Sequence, residues 1–176
     1  MKKIRSPYRK RISRKEKEDT SKDIEMKKAN IYASGDQRKV NPNWFTGRVH
    51  MKDVSSKIKS KEQGIYHVYF HSGAKTKLHA HNGNQVLIAT KGVGTLEIFR
   101  RYGTSKTKFK IKRTEKISLK EGDTVYIPAK TLHAHGSVNK KKTFSHIAIN
   151  ILPKKNSEYK TVWYDSDFKS NVTKIV

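Results

Sequence analysis

Residues 77–85 read KLHAHNGNQ, and this stretch carries most of the information about the fold and the chemistry. His79 and His81 are separated by one residue, so on a β-strand both side chains point to the same face. Gln85 follows after HNGN, a sequence typical of a turn. Imidazole nitrogen is the usual ligand for first-row transition metals near neutral pH. The stretch therefore predicts a strand that presents two imidazoles to a metal ion.

A second pair with the same spacing lies further along the chain. His133 and His135 also share a strand face, and His146 stands in an isoleucine-rich segment that is typical of a strand. A single His-x-His pair is more often part of a core or a surface than of a metal site. Two such pairs in one small β-domain favour a shared cavity. A third histidine and a side-chain oxygen would then leave coordination positions open for water, substrate or dioxygen.

Segments of alternating or apolar residues, separated by turns, surround these histidines. In KTKFKIKR (106–113) the lysines take one face, and Thr107, Phe109 and Ile111 take the other. Short strands at spacings of about 8 to 12 residues are typical of a sandwich or a barrel, so we predict an all-β fold. The predicted strands are 64–73, two strands within 85–99 around Gly92 and Gly94, 106–113, two strands within 116–128 around a Glu-Gly-Asp turn, and 143–152.

The chain has 176 residues, the size of one domain, and carries 40 Lys and Arg against 15 Asp and Glu, a net charge of +25. Residues 1–40 hold a net charge of +8 and residues 41–176 hold +17, so the positive charge is spread along the sequence. Spread charge makes specific nucleic-acid binding an unlikely function and predicts weak, salt-sensitive binding instead. The absence of cysteine excludes disulfides and thiolate metal sites.

Composition also divides the chain. Residues 1–40 are polar and charged, and we predict that they form a flexible basic extension. Residues 41–167 are predicted to form the β-domain, and residues 168–176 a C-terminal tail. The basic N-terminus lacks the apolar stretch of a signal peptide, and no apolar run approaches the roughly 18 residues needed to cross a bilayer. We expect a cytoplasmic protein that does not associate with membranes.

The spacing around the first histidine pair resembles the first motif of the cupin superfamily. That motif has Gly, five residues, His-x-His, three or four residues, Glu, six residues and Gly. Here Gly73, His79, His81, Gln85 and Gly92 occupy these positions, with glutamine in place of glutamate. The resemblance implies a cupin-type double-stranded β-helix, a jelly-roll barrel.

The second cupin motif has Gly, five residues, Pro-x-Gly, two residues and His. Gly122, Pro128 and His133 match it, and Lys130 stands where the motif has glycine. The resemblance implies one divalent transition metal per chain, Mn, Fe, Ni, Co, Cu or Zn, with Mn or Fe favoured. The metal ligands implied by the resemblance are His79, His81, Gln85 and His133. Because these ligands are all neutral, the site would keep the full charge of the ion, which strengthens its Lewis acidity.

A narrower resemblance points to a subgroup of small bacterial cupins. That subgroup includes manganese-dependent hydroxynitrile lyases and relatives found alongside carboxymuconolactone decarboxylases. It implies that His135 and His146 bind or deprotonate substrate, and it places Asn150 where the subgroup has glutamine. The similar segments are NWFTGRV (43–49), VYFHSGAKTKLHAH (68–81), PAKTLHAHG (128–136), TFSHIAIN (143–150) and TVWYDSD (161–167).

These observations lead to one expected function and one alternative. We expect a small metalloenzyme with lyase- or oxygenase-type chemistry on a small organic molecule, with His135 and His146 as acid and base. The apolar wall of its pocket is predicted to include Phe70, Leu87 and Tyr126. Cupins of this size commonly form homodimers. The alternative is a non-catalytic binding module whose basic surface contacts nucleic acid or a protein partner.

Overall fold

The computed structural model describes residues 26–33, 36–154 and 157–175, and nearly all of its regular structure is β-strand, as predicted. The exceptions are a 3₁₀ turn at Pro42–Trp44 and one helical turn, α1, at Ser55–Ile58. The strands are β1 (Asp36–Gln37), β2 (Val49–Asp53), β3 (Gln63–Phe70), β4 (Leu78–His81), β5 (Gln85–Tyr102), β6 (Lys108–Lys120), β7 (Thr124–Ile127), β8 (Leu132–Ser137), β9 (Phe144–Ile151), β10 (Thr161–Ser166) and β11 (Asn171–Lys174).

Strand β5 belongs to two curved sheets. Its first half pairs with β7 and β9, and the first sheet continues from β9 through β3 and β2 to β1. Its second half pairs with β6 and β8. From β6 the pairing runs through β11, β10 and β4 to β8, which returns to β5, so these six strands close into a ring. All pairings are antiparallel, as expected for a jelly roll.

The prediction of two strands within 85–99 is wrong, because β5 runs without a break from Gln85 to Tyr102. The register on β9 shifts between Ala89 and Lys91, and this irregularity bends the strand from one sheet into the other. Gly94 does not end the strand either. A Cβ at this position would lie 2.6 Å from atoms of the Phe144 ring, so the glycine allows that ring to pack on the backbone.

The lysine-rich segment has the predicted alternation, but its strand is longer than expected. Strand β6 continues to Lys120 and takes in the segment predicted as a separate strand after residue 116. Phe109 and Ile111 are buried, whereas Lys108, Lys110 and Lys112 are exposed. Long antiparallel strands of this kind supply the ring with an apolar inner face and a solvated outer face.

Strand pairing extends beyond residues 41–167 at both ends. Residues 171–174 form β11, which pairs with both β6 and β10 and buries Val172. At the other end, β1 pairs with β2 and Val40 packs against the core, so ordered structure begins before residue 41. The rest of the predicted basic extension falls largely on residues 1–25, which lie outside the described residues. In the described part of the chain, no helix has the length and apolar character needed to cross a membrane.

The apolar residues form two clusters. One cluster lies between the two sheets and contains Phe70, Leu87 and Phe144, among others. The other fills the interior of the six-strand ring and includes Leu78 and Phe109. Strands β4 and β8 separate the ring interior from the space between the sheets. One face of these two strands packs into the ring interior, and the opposite face carries the histidines.

Candidate metal centre

Strands β4 and β8 bring the two predicted histidine pairs together. His79 on β4 lies opposite His133 on β8 in the antiparallel register, and their ring centroids are 4.1 Å apart. The centroids of His81 and His133 are 5.3 Å apart. Ring nitrogens of His79, His133 and His135 all lie within 4.8 Å of one another. Since each pair has a spacing of two on its strand, all four imidazoles project from the same side of the β4–β8 pair.

Hydrogen bonds fix the orientation of two of these rings. Nδ1 of His79 lies 2.8 Å from the carbonyl oxygen of Lys77, and Nδ1 of His133 lies 2.9 Å from that of Thr131. A carbonyl oxygen only accepts, so each Nδ1 carries the hydrogen and each Nε2 keeps a free lone pair. This arrangement, in which one ring nitrogen donates to the backbone and the other is free, is typical of histidines that bind metals.

Several buried polar atoms at this site have no hydrogen-bond partner among the described residues, and they include Nε2 of His81, Nε2 of His133 and Oε1 of Gln85. The other end of each group is held in place. Nδ1 of His81 lies 2.9 Å from Oγ1 of Thr161, and Nε2 of Gln85 donates to Oδ1 of Asn150 at 2.8 Å. A buried polar atom without a partner costs roughly 1–3 kcal/mol. A cation coordinated by these atoms would remove that cost, so the donor set fits a divalent transition metal.

The histidines in this cluster are held in the neutral form. Burial, together with the neighbouring His133, lowers the pKa of His79 well below its usual value. Burial lowers the pKa of His81 to about 3 and that of His133 to about 4. Desolvation disfavours the charged imidazolium. Neutral imidazoles can bind a metal near neutral pH without first losing a proton.

His135 and His146 form a second imidazole pair behind the first. Nε2 of His146 lies 3.1 Å from Nδ1 of His135, and both side chains are buried. Burial lowers the pKa of His146 to about 3, and burial with the neighbouring His146 lowers that of His135 well below its usual value. One ring donates and the other accepts, so this pair can pass a proton between two buried nitrogens.

A cavity of about 260 Å³ opens beside these groups. His79, His81, Gln85, His135, His146 and Asn150 all line it, so the structure brings most of the predicted site residues together. Phe70 lines it as predicted. Among the described residues, no carboxylate lines this cavity, and Arg38 is the one lining residue with a formal charge.

Two predicted wall residues lie elsewhere. Tyr126 is 59% exposed, because its side chain lies on the outer face of the sheet, opposite Val86 in the register. The side chain of the next residue, Ile127, points inward. Leu87 is buried in the core between the sheets and does not line the cavity. Lys130, which replaces the motif glycine, lines a different crevice and adopts φ = 66°, the left-handed conformation of a turn.

Some of the residues that line the cavity were not predicted from the sequence. Arg38, Tyr66 and Tyr159 line the cavity. Burial raises the pKa of Tyr159, so its hydroxyl stays protonated at neutral pH. No short-range sequence pattern connects these residues to the histidine motifs.

Two tryptophans also line the cavity. Trp44 and Trp163 stack with ring centroids 5.2 Å apart and an interplanar angle of 5°. Trp163 lies opposite His79 in the β4–β10 register and stacks on its ring, with centroids 4.4 Å apart. The indole therefore packs directly on a candidate metal ligand and keeps its imidazole from rotating.

Comparison with known proteins agrees with this architecture. A cupin-like protein from Thermotoga maritima is similar over 78% of this chain and 90% of its own, with 27% identity and a TM-score of 0.55. The polyketide cyclase RemF from Streptomyces resistomycificus shares the fold, at 10% identity and a TM-score of 0.58, over 82% of this chain and 90% of its own. A search of curated proteins finds no match. The sequence profile of the Cupin family matches residues 38–172, and the chain therefore belongs to the cupin family.

Proposed function

We propose that this cupin is a metal-dependent enzyme that catalyses a lyase-type reaction, in which a proton is moved on a small organic molecule. One observation carries the proposal. Nε2 of His81, Nε2 of His133 and Oε1 of Gln85 are buried in one cluster without hydrogen-bond partners among the described residues, while the opposite end of each group is held by a hydrogen bond. Side-chain atoms arranged in this way are positioned to coordinate a metal ion.

His79, His81, Gln85 and His133 are the proposed metal ligands. Nε2 of His79 is free because its Nδ1–H bonds to a backbone carbonyl. A ring nitrogen of His135 also lies within 4.8 Å of those of His79 and His133, but its Nδ1 contacts another imidazole, which can exchange a proton, and not a backbone carbonyl. We assign His135 to the proton-transfer pair for this reason. Manganese or iron is the proposed metal, since both accept imidazole and amide-oxygen donors.

A divalent metal bound by these residues would act as a Lewis acid toward a substrate oxygen. The protein residues then have separate tasks. Asn150 accepts the hydrogen bond that turns Gln85 Oε1 toward the cavity, so Asn150 is a positioning residue. The His135–His146 pair receives a proton at one ring nitrogen and can pass it to the other across 3.1 Å.

The proton-transfer pair favours lyase-type over oxygenase-type chemistry. Two neutral imidazoles in hydrogen-bond contact can accept a proton from a hydroxyl or a carbon acid. Because burial lowers the pKa of both rings, this transfer depends on a bound metal lowering the pKa of the substrate acid as well, and it needs no electron donor. The similarity to cupins that include manganese-dependent hydroxynitrile lyases supports the same class. Cyanohydrin cleavage itself is a less favoured choice, because Asn150 is shorter than the usual glutamine and its Oδ1 is already engaged.

The first experiment is elemental analysis of protein purified without a nickel column. We expect about one divalent metal per chain in the wild type and none in the His79→Ala/His133→Ala double variant. The matched control is His50→Ala/His71→Ala, which removes two histidines whose rings lie 5.1 Å apart away from the cavity. This control is expected to keep its metal. A wild-type protein that is isolated without metal and takes up none when it is added contradicts the proposal.

The second experiment tests proton transfer. Metal-loaded protein is incubated in D₂O with small hydroxy and keto acids, and deuterium incorporation is followed by NMR. We expect His146→Leu to keep its metal and to lose turnover by on the order of 100-fold or more. Oxygen uptake without deuterium incorporation would assign the site to the oxygenase class instead.

A further inference from the structure

Among the described residues that line the cavity, Arg38 contributes the one formal charge. It follows β1, and its backbone N–H donates to the carbonyl of Met51 at 2.9 Å, which ties this segment to β2. Its guanidinium carbon lies 5.1 Å from the centroid of the Tyr66 ring. Among the described residues, no carboxylate forms an ion pair with Arg38. Arg38 is an exposed residue that also lines the cavity, so its guanidinium is accessible to a ligand from solvent.

Tyr159 offers a hydrogen-bond donor in the same cavity. Its ring packs on His81, with centroids 5.0 Å apart. The hydroxyl group is buried and has no hydrogen-bond partner in the described part of the chain. Gly83 makes room for this ring, because a Cβ there would lie 2.9 Å from Tyr159 Cε2. A buried hydroxyl without an acceptor is satisfied once a ligand brings an oxygen.

The charge of the site also calls for an anion. The described lining residues include no carboxylate, and the proposed metal ligands are all neutral. A divalent ion in such a site keeps its full charge in surroundings that solvate charge poorly. A negatively charged ligand would balance that charge, and Arg38 adds to the attraction.

We propose that the cavity selects a small organic acid, whose carboxylate is held by Arg38 and Tyr159 and whose planar apolar body lies among the aromatic rings. Trp44, Phe45, Phe70 and Trp163 supply those rings. The volume of about 260 Å³ limits the ligand to a molecule smaller than a typical drug. The inference rests on the proposed function for the claim that this acid is the substrate, whereas its binding can be measured separately.

The tryptophans give a direct measurement of binding. The chain has two tryptophans in all, Trp44 and Trp163, and both line the cavity. Intrinsic fluorescence therefore reports on ligands at this site without any label. Benzoate is the probe, because it combines a carboxylate with a flat apolar ring. Benzamide has nearly the same shape without the charge, so it is the matched control ligand.

Benzoate and benzamide are titrated into metal-free and metal-loaded protein. We expect saturable quenching by benzoate, with Kd raised at least tenfold by Arg38→Gln and several-fold by Tyr159→Phe. Arg38→Lys should recover part of the affinity, because it keeps the charge and loses the planar fork. Arg48→Gln removes another exposed arginine, one outside the cavity lining, and should leave Kd unchanged.

The outcomes separate this inference from the proposed function. Equal binding of benzoate and benzamide, no binding of benzoate in either metal state, or an Arg38→Gln protein with wild-type Kd would each overturn the inference. These results would leave the metal analysis standing. Conversely, Arg38-dependent benzoate binding by a protein that takes up no metal would support the anion site and contradict the metalloenzyme. Circular dichroism of each variant confirms that it is folded.

Discussion

The two faces of strands β4 and β8 differ completely, although the same few residues form both. Leu78 and His79 are neighbours in sequence and are 0% and 1% exposed. Leu78 packs into the apolar interior of the six-strand ring, whereas His79 faces a cavity lined by polar groups. Burial alone therefore does not distinguish a structural from a functional side chain here. Buried polar atoms without partners do, and His81 and His133 provide them on one face.

The histidine face should make the free energy of unfolding depend on pH in the acid range, whereas the apolar face should not contribute to this dependence. The folded-state pKa values of His81 and His146 are lowered to about 3 and that of His133 to about 4, against about 6.5 for an unfolded chain. The unfolded chain therefore binds more protons below pH 6.5, and stability falls as pH drops from there toward 4. Each group removes about 1.4 kcal/mol per pH unit in that window.

Urea unfolding of metal-free protein between pH 7 and pH 5 measures this loss. The His81→Leu variant should lose less stability per pH unit than the wild type, because one of the titrating groups is gone. A free energy of unfolding that stays constant down to pH 5 would show that these histidines are not held neutral by burial.

Leu78→Ala tests the apolar face. The substitution leaves a cavity inside the ring and should lower the free energy of unfolding by about 3 kcal/mol. Val162→Ala on the adjacent strand β10 is the control, since Val162 is 36% exposed and its truncation should cost about 0.5 kcal/mol. Urea denaturation of both variants gives the comparison. Similar losses would mean that the ring interior contributes little to stability.

His133→Leu tests the other face of the same strands. The change replaces the imidazole, whose Nε2 is buried without a partner, by an apolar side chain of similar size. The stability of the metal-free protein should therefore change by less than about 1.5 kcal/mol. Metal binding should be lost. Calorimetric titration with Mn²⁺ and urea denaturation measure the two effects. A large loss of metal-free stability would assign His133 to the structural core.

Lys130→Gly tests the turn between β7 and β8, which is hydrogen-bonded to β4. The N–H of Lys130 donates to the carbonyl of His81 at 2.7 Å, while its φ of 66° is costly for a residue with a Cβ. We expect glycine to stabilise the protein by about 0.5 kcal/mol without changing metal affinity. Lys59, with φ = 55° after α1, provides the control, because Lys59→Gly should stabilise to a similar extent away from the cavity. A fall in melting temperature for Lys130→Gly alone would contradict this account.

Much of the site could be predicted from the sequence because its main groups follow short-range rules. The spacing of two on a strand was enough to place His79 with His81 and His133 with His135 on shared faces. The same rule excludes Tyr126 from the cavity wall once its neighbour Ile127 is recognised as the inward residue of that strand. The extent of β5 was harder, because a glycine that admits a neighbouring ring has the same appearance in sequence as one that ends a strand.

The remaining cavity residues depend on long-range pairing. Trp163 reaches His79 through the register of β10 on β4, more than 80 residues along the chain. Arg38 depends on the pairing of β1 with β2, and Tyr159 on the loop before β10. No local pattern encodes such contacts in a single sequence. The position of the Arg38 charge at the cavity could therefore be recognised only in the folded chain.

The 18 residues of β5 have a mechanical consequence. Because one uninterrupted strand is hydrogen-bonded into both sheets, the sheets cannot separate from each other unless the hydrogen bonds of β5 to one of them are broken. Opening of the barrel should therefore be a global event, and amide deuterium exchange at the centre of β5 should proceed at the rate set by complete unfolding. A tightly bound ligand would then slow exchange in the distant ring strands as much as in the walls of its own cavity.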